Sequence, residues 1–221
     1  MYKNCVLLIT LILGSLLSIG GNTQTNVEGI NWDNIMNAAQ TYFASPTSEN
    51  AFKFYISLPK TQVRGEARET EFTKVFYYID DHLIVLERQV LKADRNAVKV
   101  AVRLWTIADG AFAEYLDSIL GDLIRMDPKM FLEEIKEFPW PEDYPIDFME
   151  WLSRGYVLCN GRIFNGESVS DERRELELRI KALETVKDVN LAGFRDECIE
   201  IIRKHINEYF RHSGDDFPIL L

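Results

Sequence analysis

Histidines are the residues of this chain best suited to acid–base or metal chemistry, and there are three of them. His82 follows Asp80 and Asp81, but neighbouring residues of a helix point about 100 degrees apart, so the three side chains do not converge. His205 and His212 are seven residues apart and share a helix face. Zinc needs a third and fourth ligand, and no HExxH or CxxC motif accompanies them. We therefore predict structural or surface roles for all three histidines and no metal site.

A second candidate for chemistry is the segment 188–199, which partly resembles a calcium-binding loop. Positions one, three, six and nine of such a loop are occupied by Asp188, Asn190, Gly193 and Asp196. Position five is Ala192 and position twelve is Ile199, where the loop requires a bidentate glutamate. The segment is therefore predicted to be a turn between two helices.

Nucleophile motifs are absent from the sequence. No serine lies in a GxSxG motif and there is no glycine-rich phosphate loop, so we predict no catalytic and no cofactor-binding residue. Cys5 lies in the apolar N-terminal run, which leaves Cys159 and Cys198. In an oxidising compartment this pair is predicted to form a disulfide that closes a loop of about 40 residues. The alternative is that Cys198, on the apolar face of its helix, is a buried thiol.

The segment Phe138–Pro145 displays two aromatic rings between prolines, Trp140 and Tyr144. Rigid aromatic side chains are typical anchors of protein interfaces, although both rings could equally cover helix ends as part of the core. From Glu114 to Glu150 there are eleven acids and three bases, which indicates either a solvated helix face or an acidic patch for a cationic partner. The candidate partner surface is therefore Trp140, Tyr144, Glu133, Glu134, Glu137 and Asp143.

The N-terminus resembles an export signal. Lys3 precedes the uncharged apolar run 5–19, and small residues follow at Gly20 and Gly21. We predict that residues 1–20 are cleaved and that the chain is periplasmic or secreted. The alternative is a membrane anchor through residues 5–19, since a spanning helix needs about 20 apolar residues. Membrane contact is expected only if this leader is retained.

The net charge of −10 becomes −11 without residues 1–20, which carry a single lysine and no acid. A phosphate backbone calls for a basic patch, so nucleic-acid binding is disfavoured. With 47% hydrophobic residues, the chain has enough apolar area for one core. Residues 21–30 are predicted to be a flexible lead-in and residues 31–221 a single domain.

A helix over 94–108 is predicted to be the centre of this domain. Its apolar residues repeat at helical spacing on two neighbouring faces, and they are Val98, Ala101, Val102, Trp105 and Ala108 on one, with Ala97, Val100, Leu104 and Ile107 on the other. The remaining polar stripe consists of Arg95, Lys99, Arg103 and Thr106. A helix that is apolar around most of its circumference needs neighbours on several sides.

The same spacing predicts the flanking helices. The first starts at an Asn31 cap, and the second is capped by Ser48 with its apolar face at Phe52, Tyr55 and Ile56. One long helix is expected over 70–92, although the strand formers around Asp80 and Asp81 leave a hairpin as the alternative. Helices are expected after the Asp127–Pro128 pair, from Pro145, from Ser170 or Asp171, and around Phe194.

These eight to nine helices, joined by short connections, predict an all-α fold of antiparallel hairpins stacked in sequence order. In architecture this resembles the HEAT and armadillo solenoids, although no diagnostic residues recur at a fixed period. A closed irregular bundle is the alternative. The expected function is non-catalytic binding of a protein or peptide. The alternatives are a helical hydrolase-like enzyme with a dispersed site, and a membrane-tethered structural subunit.

Overall fold

The structure is a computed structural model that describes residues 30–60, 71–108, 110–139, 156–159 and 169–210. Every regular element in these residues is a helix, so the all-α fold class is confirmed for them. The helices are α1 (Trp32–Ala44), α2 (Ser48–Ser57), α3 (Glu71–Asp80), α4 (Leu83–Val90), α5 (Arg95–Ile107), α6 (Gly110–Met126), α7 (Pro128–Glu137), α8 (Tyr156–Cys159), α9 (Val169–Glu184) and α10 (Ala192–Tyr209).

Side-chain caps set the starts of four helices. The Oδ1 atom of Asn31 accepts the N–H of Asn34 at 2.9 Å, and Asp94 and Asp127 cap α5 and α7 in the same way. These side chains satisfy N–H groups that a helix start leaves without an internal acceptor. For α2 the sequence prediction is wrong by one residue, because Thr47 provides the cap and Ser48 is already helical.

The long helix expected over 70–92 is wrong, since α3 and α4 are separate. The chain turns at Asp81 and His82, where the N–H of His82 bonds to the carbonyl oxygen of Ile79 instead of continuing the α-helical pattern. His82 Nδ1 donates to the carbonyl oxygen of Tyr78 at 2.8 Å, and its ring stacks on Phe43 at 5.3 Å. The break lets α3 pack on α1 while α4 packs on α5 and α6.

The turn between α4 and α5 contains Ala93 in the left-handed region, with φ at 58°. The N–H of Ala93 bonds to the carbonyl oxygen of Val90, and the N–H of Asp94 bonds to that of Gln89. This is the bonding pattern of a Schellman motif, in which glycine is the usual residue at the position of Ala93. Asp94 caps the next helix directly, so the chain reverses within a few residues.

Helix α5 lies at the centre of the described fold, as predicted. It packs against α2, α4, α6 and α7, and from Ala97 to Ile107 only Lys99 is not buried. The predicted polar stripe of this helix is therefore only partly solvated, because Arg103 and Thr106 are 4% and 1% exposed. The buried hydroxyl group of Thr106 is satisfied within its own helix, because it donates to the carbonyl oxygen of Arg103 at 2.8 Å.

The helix contacts follow two series. One series joins α2 to α5, α5 to α7 and α7 to α10; the other joins α1 to α3, α4 to α6 and α6 to α9. Sequential partners connect the two series, namely α1 with α2, α4 with α5, α6 with α7, and α9 with α10. Each central helix is thus covered on several sides, which its apolar circumference requires.

A buried arginine fastens the later helices together. Arg179 of α9 is fully buried and donates through Nη1 to the carbonyl oxygen of Leu158 in α8 at 2.9 Å. It lies against Gly121 of α6, where an added Cβ would come within 2.7 Å of Nη2. Burial lowers the pKa of Arg179, and the nearby carboxylates of Glu175 and Asp122 oppose this shift. Only glycine at 121 allows so close an approach.

Both cysteines of the described residues are free thiols and are buried. The disulfide expected between Cys159 and Cys198 is therefore not formed in this structure, although α8 and α10, which carry them, are in contact. Burial raises the pKa of Cys159 to about 12 and also raises that of Cys198. Each residue behaves as a small apolar side chain inside the core.

Several predictions lie outside the described residues: the leader 1–20, the lead-in up to residue 29 and the helix expected from Pro145. Within the described part, no helix is both long and apolar enough to cross a membrane.

Candidate functional site

Helix α2 carries an exposed apolar pair. Phe52 is 47% exposed and Ile56 is 60% exposed, so the prediction that they form the buried face of this helix is wrong. The buried side chains are Ala51, Phe54 and Leu58, which face α1 and α5. Phe52 and Ile56 are four residues apart and form one stripe on the open side of the helix.

Beside this stripe, the guanidinium group of Arg103 in α5 contacts two aromatic rings. Its guanidinium carbon lies 5.3 Å from the ring centre of Tyr55 and 4.7 Å from that of Phe138. Its Nη2 donates to the Tyr55 hydroxyl and its Nη1 to the carbonyl oxygen of Lys60, both at 3.3 Å. These contacts tie the ends of α2 and α7 to α5, and the ring faces partly compensate the buried charge.

Near the start of α5, Arg95 pairs with two acids of α7. Its Nη2 lies 2.5 Å from Glu133 Oε2 and its Nη1 lies 2.6 Å from Glu134 Oε1. The hydrogen bond to Glu133 raises the pKa of Arg95. Burial raises the pKa of Glu134, and the charges of Lys99 and Arg95 oppose that shift. Two of the acids predicted to meet a partner are thus already engaged within the chain.

Lys99 lies between Arg95 and Arg103 and is the remaining cation of the stripe. It is half-buried, and no side chain in the described part of the chain lies within ion-pair distance of its ammonium group. Its charge acts on Glu134 without a direct contact. Lys99 is therefore a cation held in place by its helix with capacity to bind an acidic group.

These residues form one surface, which we call the three-helix face: Phe52, Tyr55 and Ile56 of α2, Arg95, Lys99 and Arg103 of α5, and Glu133, Glu134 and Glu137 of α7. Its apolar, cationic and acidic residues lie on adjacent helices, and two of them, Arg103 and Glu134, are buried at 4% and 6% exposure. Since Arg95 contacts α7 and Arg103 contacts α2, the cationic stripe runs along the seam between the outer two helices. Tyr55 lies between the exposed apolar pair and this seam.

The predicted partner surface is only partly described. Trp140, Asp143 and Tyr144 lie outside the described residues, so the structure does not place the aromatic segment. Glu137 is exposed, Glu133 is half-buried and Glu134 is 6% exposed. Glu134 is therefore part of an internal ion pair and not of an open acidic patch.

The acidic stretch from Glu114 is likewise not uniformly solvated. Asp117 is 4% exposed and accepts the indole N–H of Trp105 at 2.6 Å, inside the core. Glu87, on α4, is also buried and accepts the hydroxyl of Tyr115 at 2.6 Å. Hydrogen bonds of this kind satisfy buried carboxylates that would otherwise destabilise the fold. Part of the local negative charge thus has a structural role.

A cleft of about 400 Å³ opens beside the turn between α9 and α10. Its lining consists of Glu184, Lys187, Arg195, Asp196, Ile199 and Arg203. The charged groups already bind one another, since Arg203 lies 2.9 Å from Glu184 and Arg195 lies 2.6 Å from Asp196. Lys187 leaves one positive charge in excess, and its ammonium group donates to the carbonyl oxygen of Glu184 at 2.7 Å. The cleft has no exposed apolar pair and is therefore a weaker candidate than the three-helix face.

Among the residues first considered for chemistry, His212 lies outside the described residues and the others do not converge. His82 is used in the turn between α3 and α4, and His205 is half-buried on α10, where burial lowers its pKa. Asp188 accepts the N–H of Asn190 at 3.0 Å and lies 3.6 Å from Lys129, as expected for a helix–helix turn. Across the described ranges, no three His, Cys, Asp or Glu side chains are arranged to hold a metal ion.

Comparison with known proteins gives no relative: no family model, no curated protein and no solved structure matches this chain.

The sequence of α2 contains a pattern that could have indicated its exposed apolar pair. Its apolar residues fall into two sets, one at Ala51, Phe54 and Leu58 and one at Phe52 and Ile56, which is more than a single buried face can hold. For Arg103, the helical register put it on a polar stripe. The two rings that cover it come from distant parts of the chain.

Proposed function

We propose that this chain is an exported, non-catalytic helical protein that binds a peptide or protein segment on its three-helix face. The observation that carries the proposal is the exposed pair Phe52 and Ile56 beside Lys99, a cation without an ion-pair partner among the described residues. Apolar anchors next to a charged rim are typical of interfaces, where the apolar groups supply affinity and the charges supply selectivity.

The architecture that supports this role is a stack of helical hairpins in sequence order, similar to HEAT and armadillo solenoids. The two series of helix contacts and the sequential pairs that join them support this arrangement. Ser48 and Asn96 are hydrogen-bonded near the starts of α2 and α5, and Tyr55 meets Arg103 near their ends, so these helices run parallel. Parallel helices side by side present an extended face suited to a chain-like ligand.

The charge pattern favours a partner with apolar and acidic groups. Arg95 already neutralises Glu133 and Glu134, so the acidic stripe is partly compensated within the chain. Lys99 has no such partner among the described residues. An acidic group of a ligand would therefore gain an ion pair at Lys99 without displacing one.

Selection of displayed random peptides on the full secreted chain tests this function. We expect enrichment of peptides that combine apolar with acidic residues, and we expect Ile56→Asp to weaken their binding by at least about tenfold, since a charge replaces an apolar contact. Val189→Asp is the matched control, because Val189 is 84% exposed and lies outside the face. Equal losses in both variants, or none in either, would reject the three-helix face as the binding surface.

Export is proposed from the order of Lys3, the apolar run 5–19 and the small residues that follow. Intact mass of the protein made in a secreting host is expected to show loss of the residues up to the Gly20–Gln24 region. A full-length, membrane-bound product would instead support the anchored alternative.

A further inference from the structure

The three-helix face leaves its apolar stripe uncovered. Phe52 and Ile56 are 47% and 60% exposed, while the neighbouring Tyr55 and Arg103 hold one another in a fixed position. Exposed apolar side chains that stand next to each other indicate a contact surface more often than isolated ones do. The ligand of this surface must bring apolar groups for α2 and a negative charge for Lys99.

A segment near the C-terminal end of this sequence has that composition. Residues 213–221, Ser-Gly-Asp-Asp-Phe-Pro-Ile-Leu-Leu, follow the described residues and place two acids directly before a run of apolar residues. The acids are Asp215 and Asp216, and the apolar run begins at Phe217. Pro218 restricts the backbone of this run, which lowers the entropy lost on binding.

We propose that residues 213–221 of one copy of this chain bind the three-helix face of a second copy. Phe217 and the leucines contact Phe52 and Ile56, and Asp215 or Asp216 pairs with Lys99. The proposal rests on the proposed function of the three-helix face and names its ligand.

Reach favours a second copy over the same chain. An extended chain spans at most about 3.6 Å per residue, so Phe217 lies within about 25 Å of Phe210. From α10, the path to α2 crosses α7 and α5, which is three helix-to-helix steps of about 8 to 10 Å each. Phe217 of the same chain therefore arrives at or short of α2 even when fully extended in that one direction.

The test uses a labelled peptide of residues 213–221 with both ends blocked, so that Asp215 and Asp216 are its only charges. The peptide is titrated with the full chain at low ionic strength, and its fluorescence anisotropy is measured. We expect saturable binding, reduced at least about tenfold by Ile56→Asp and about fivefold by Lys99→Glu, the loss expected for one partly buried ion pair. Val189→Asp and Lys181→Glu, both at exposed positions, are the matched controls and should bind like the unaltered chain.

Charge exchange supplies a readout that a merely structural effect cannot imitate. A peptide in which both aspartates are replaced by lysine should bind the unaltered chain weakly and should regain affinity for the Lys99→Glu variant. The chain itself should self-associate reversibly in sedimentation velocity. Either Phe217→Asp or Ile56→Asp should abolish this association, and a mixture of the two variants should restore it, because the mixture contains one intact tail and one intact face.

Three outcomes would overturn the proposal. If the peptide does not bind although selected library peptides do, the tail is not the ligand and the proposed function stands. If neither class of peptide binds, both proposals fail. If the peptide binds only to a chain that carries Phe217→Asp, the tail occupies the face of its own chain, and the second copy is wrong.

Discussion

The guanidinium carbon of Arg103 lies 4.7 Å from the centre of the Phe138 ring, with Arg103 itself 4% exposed. This contact joins the C-terminal half of the central helix to the residue that follows α7. The second ring, that of Tyr55, belongs to α2, so one side chain contacts residues of both neighbouring helices. The contacts of Arg103 therefore connect all three helices of the three-helix face.

Replacement of Arg103 by methionine is expected to destabilise the protein by about 2 kcal/mol. Methionine keeps an apolar stem but removes two cation–π contacts, each worth about 0.5 to 2 kcal/mol, and two hydrogen bonds. Urea unfolding followed by circular dichroism measures the change. Arg88→Met, at an exposed position of α4, is the control and should stay within about 0.5 kcal/mol. A loss for Arg103→Met no larger than the control's would show that the contacts of Arg103 with Tyr55 and Phe138 contribute nothing to stability.

Gly121→Ala is expected to lower the free energy of unfolding by about 1 to 3 kcal/mol, the usual cost of overpacking a core. The new methyl group would lie 2.7 Å from Arg179 Nη2, and Arg179 is anchored to the carbonyl oxygens of α8. Gly193→Ala is a control of opposite sign, because nothing lies within 4 Å of its added Cβ and alanine favours the helix.

A double-mutant cycle identifies the cause of the Gly121 effect. In an Arg179→Met background, the cost of Gly121→Ala should shrink, since the group that clashes has gone. An undiminished cost would place the clash elsewhere in the core.

The stability of the fold is expected to depend on pH through His205. Burial lowers the pKa of His205 in the folded state, so the unfolded chain binds the proton more readily. The stabilisation from the neutral ring is fully present above the unfolded pKa of about 6.5 and is lost as the pH falls through the lower folded value. Melting temperatures of the unaltered protein and of His205→Gln, measured from pH 8 to pH 5, should therefore converge on the acid side or cross. A constant difference between the two proteins across this range would contradict the prediction.

The two thiols provide a check on the cysteines. Because Cys159 and Cys198 are both free and buried, the folded protein should react slowly with a maleimide at pH 8, and the denatured protein should yield two thiols without reductant. A denatured protein with no free thiol would restore the disulfide that the sequence predicts.

Much of the helical framework follows from local signals. Asn31, Asp94 and Asp127 act as caps because an N-cap depends only on the residues of its own turn. The apolar pattern of residues 97–107 likewise predicts a central helix, since a helix without a polar side must be covered. Such inferences need no knowledge of distant contacts.

The sequence-based predictions that were wrong have a different cause, namely contacts between distant parts of the chain. The break between α3 and α4 depends on His82 stacking against Phe43, which is remote in sequence. The burial of Arg103 and Glu134 depends on rings and charges from other helices. On α2, periodicity offered two apolar faces, and only the packing of α1 and α5 decides which is covered. Long-range packing therefore decides which residues form the three-helix face, which local patterns left undecided.

Amide chemical-shift mapping tests the central claim most directly. The full chain, labelled with nitrogen-15, is titrated with a peptide selected on the unaltered protein, and its backbone resonances are followed. We expect the largest shifts at residues 52–56 and 99–103 and smaller ones at 133–137, and we expect the Ile56→Asp variant to need at least about ten times more peptide for the same shifts. Shifts concentrated at residues 184–203, around the cleft between α9 and α10, would contradict the central claim and would move the binding site there.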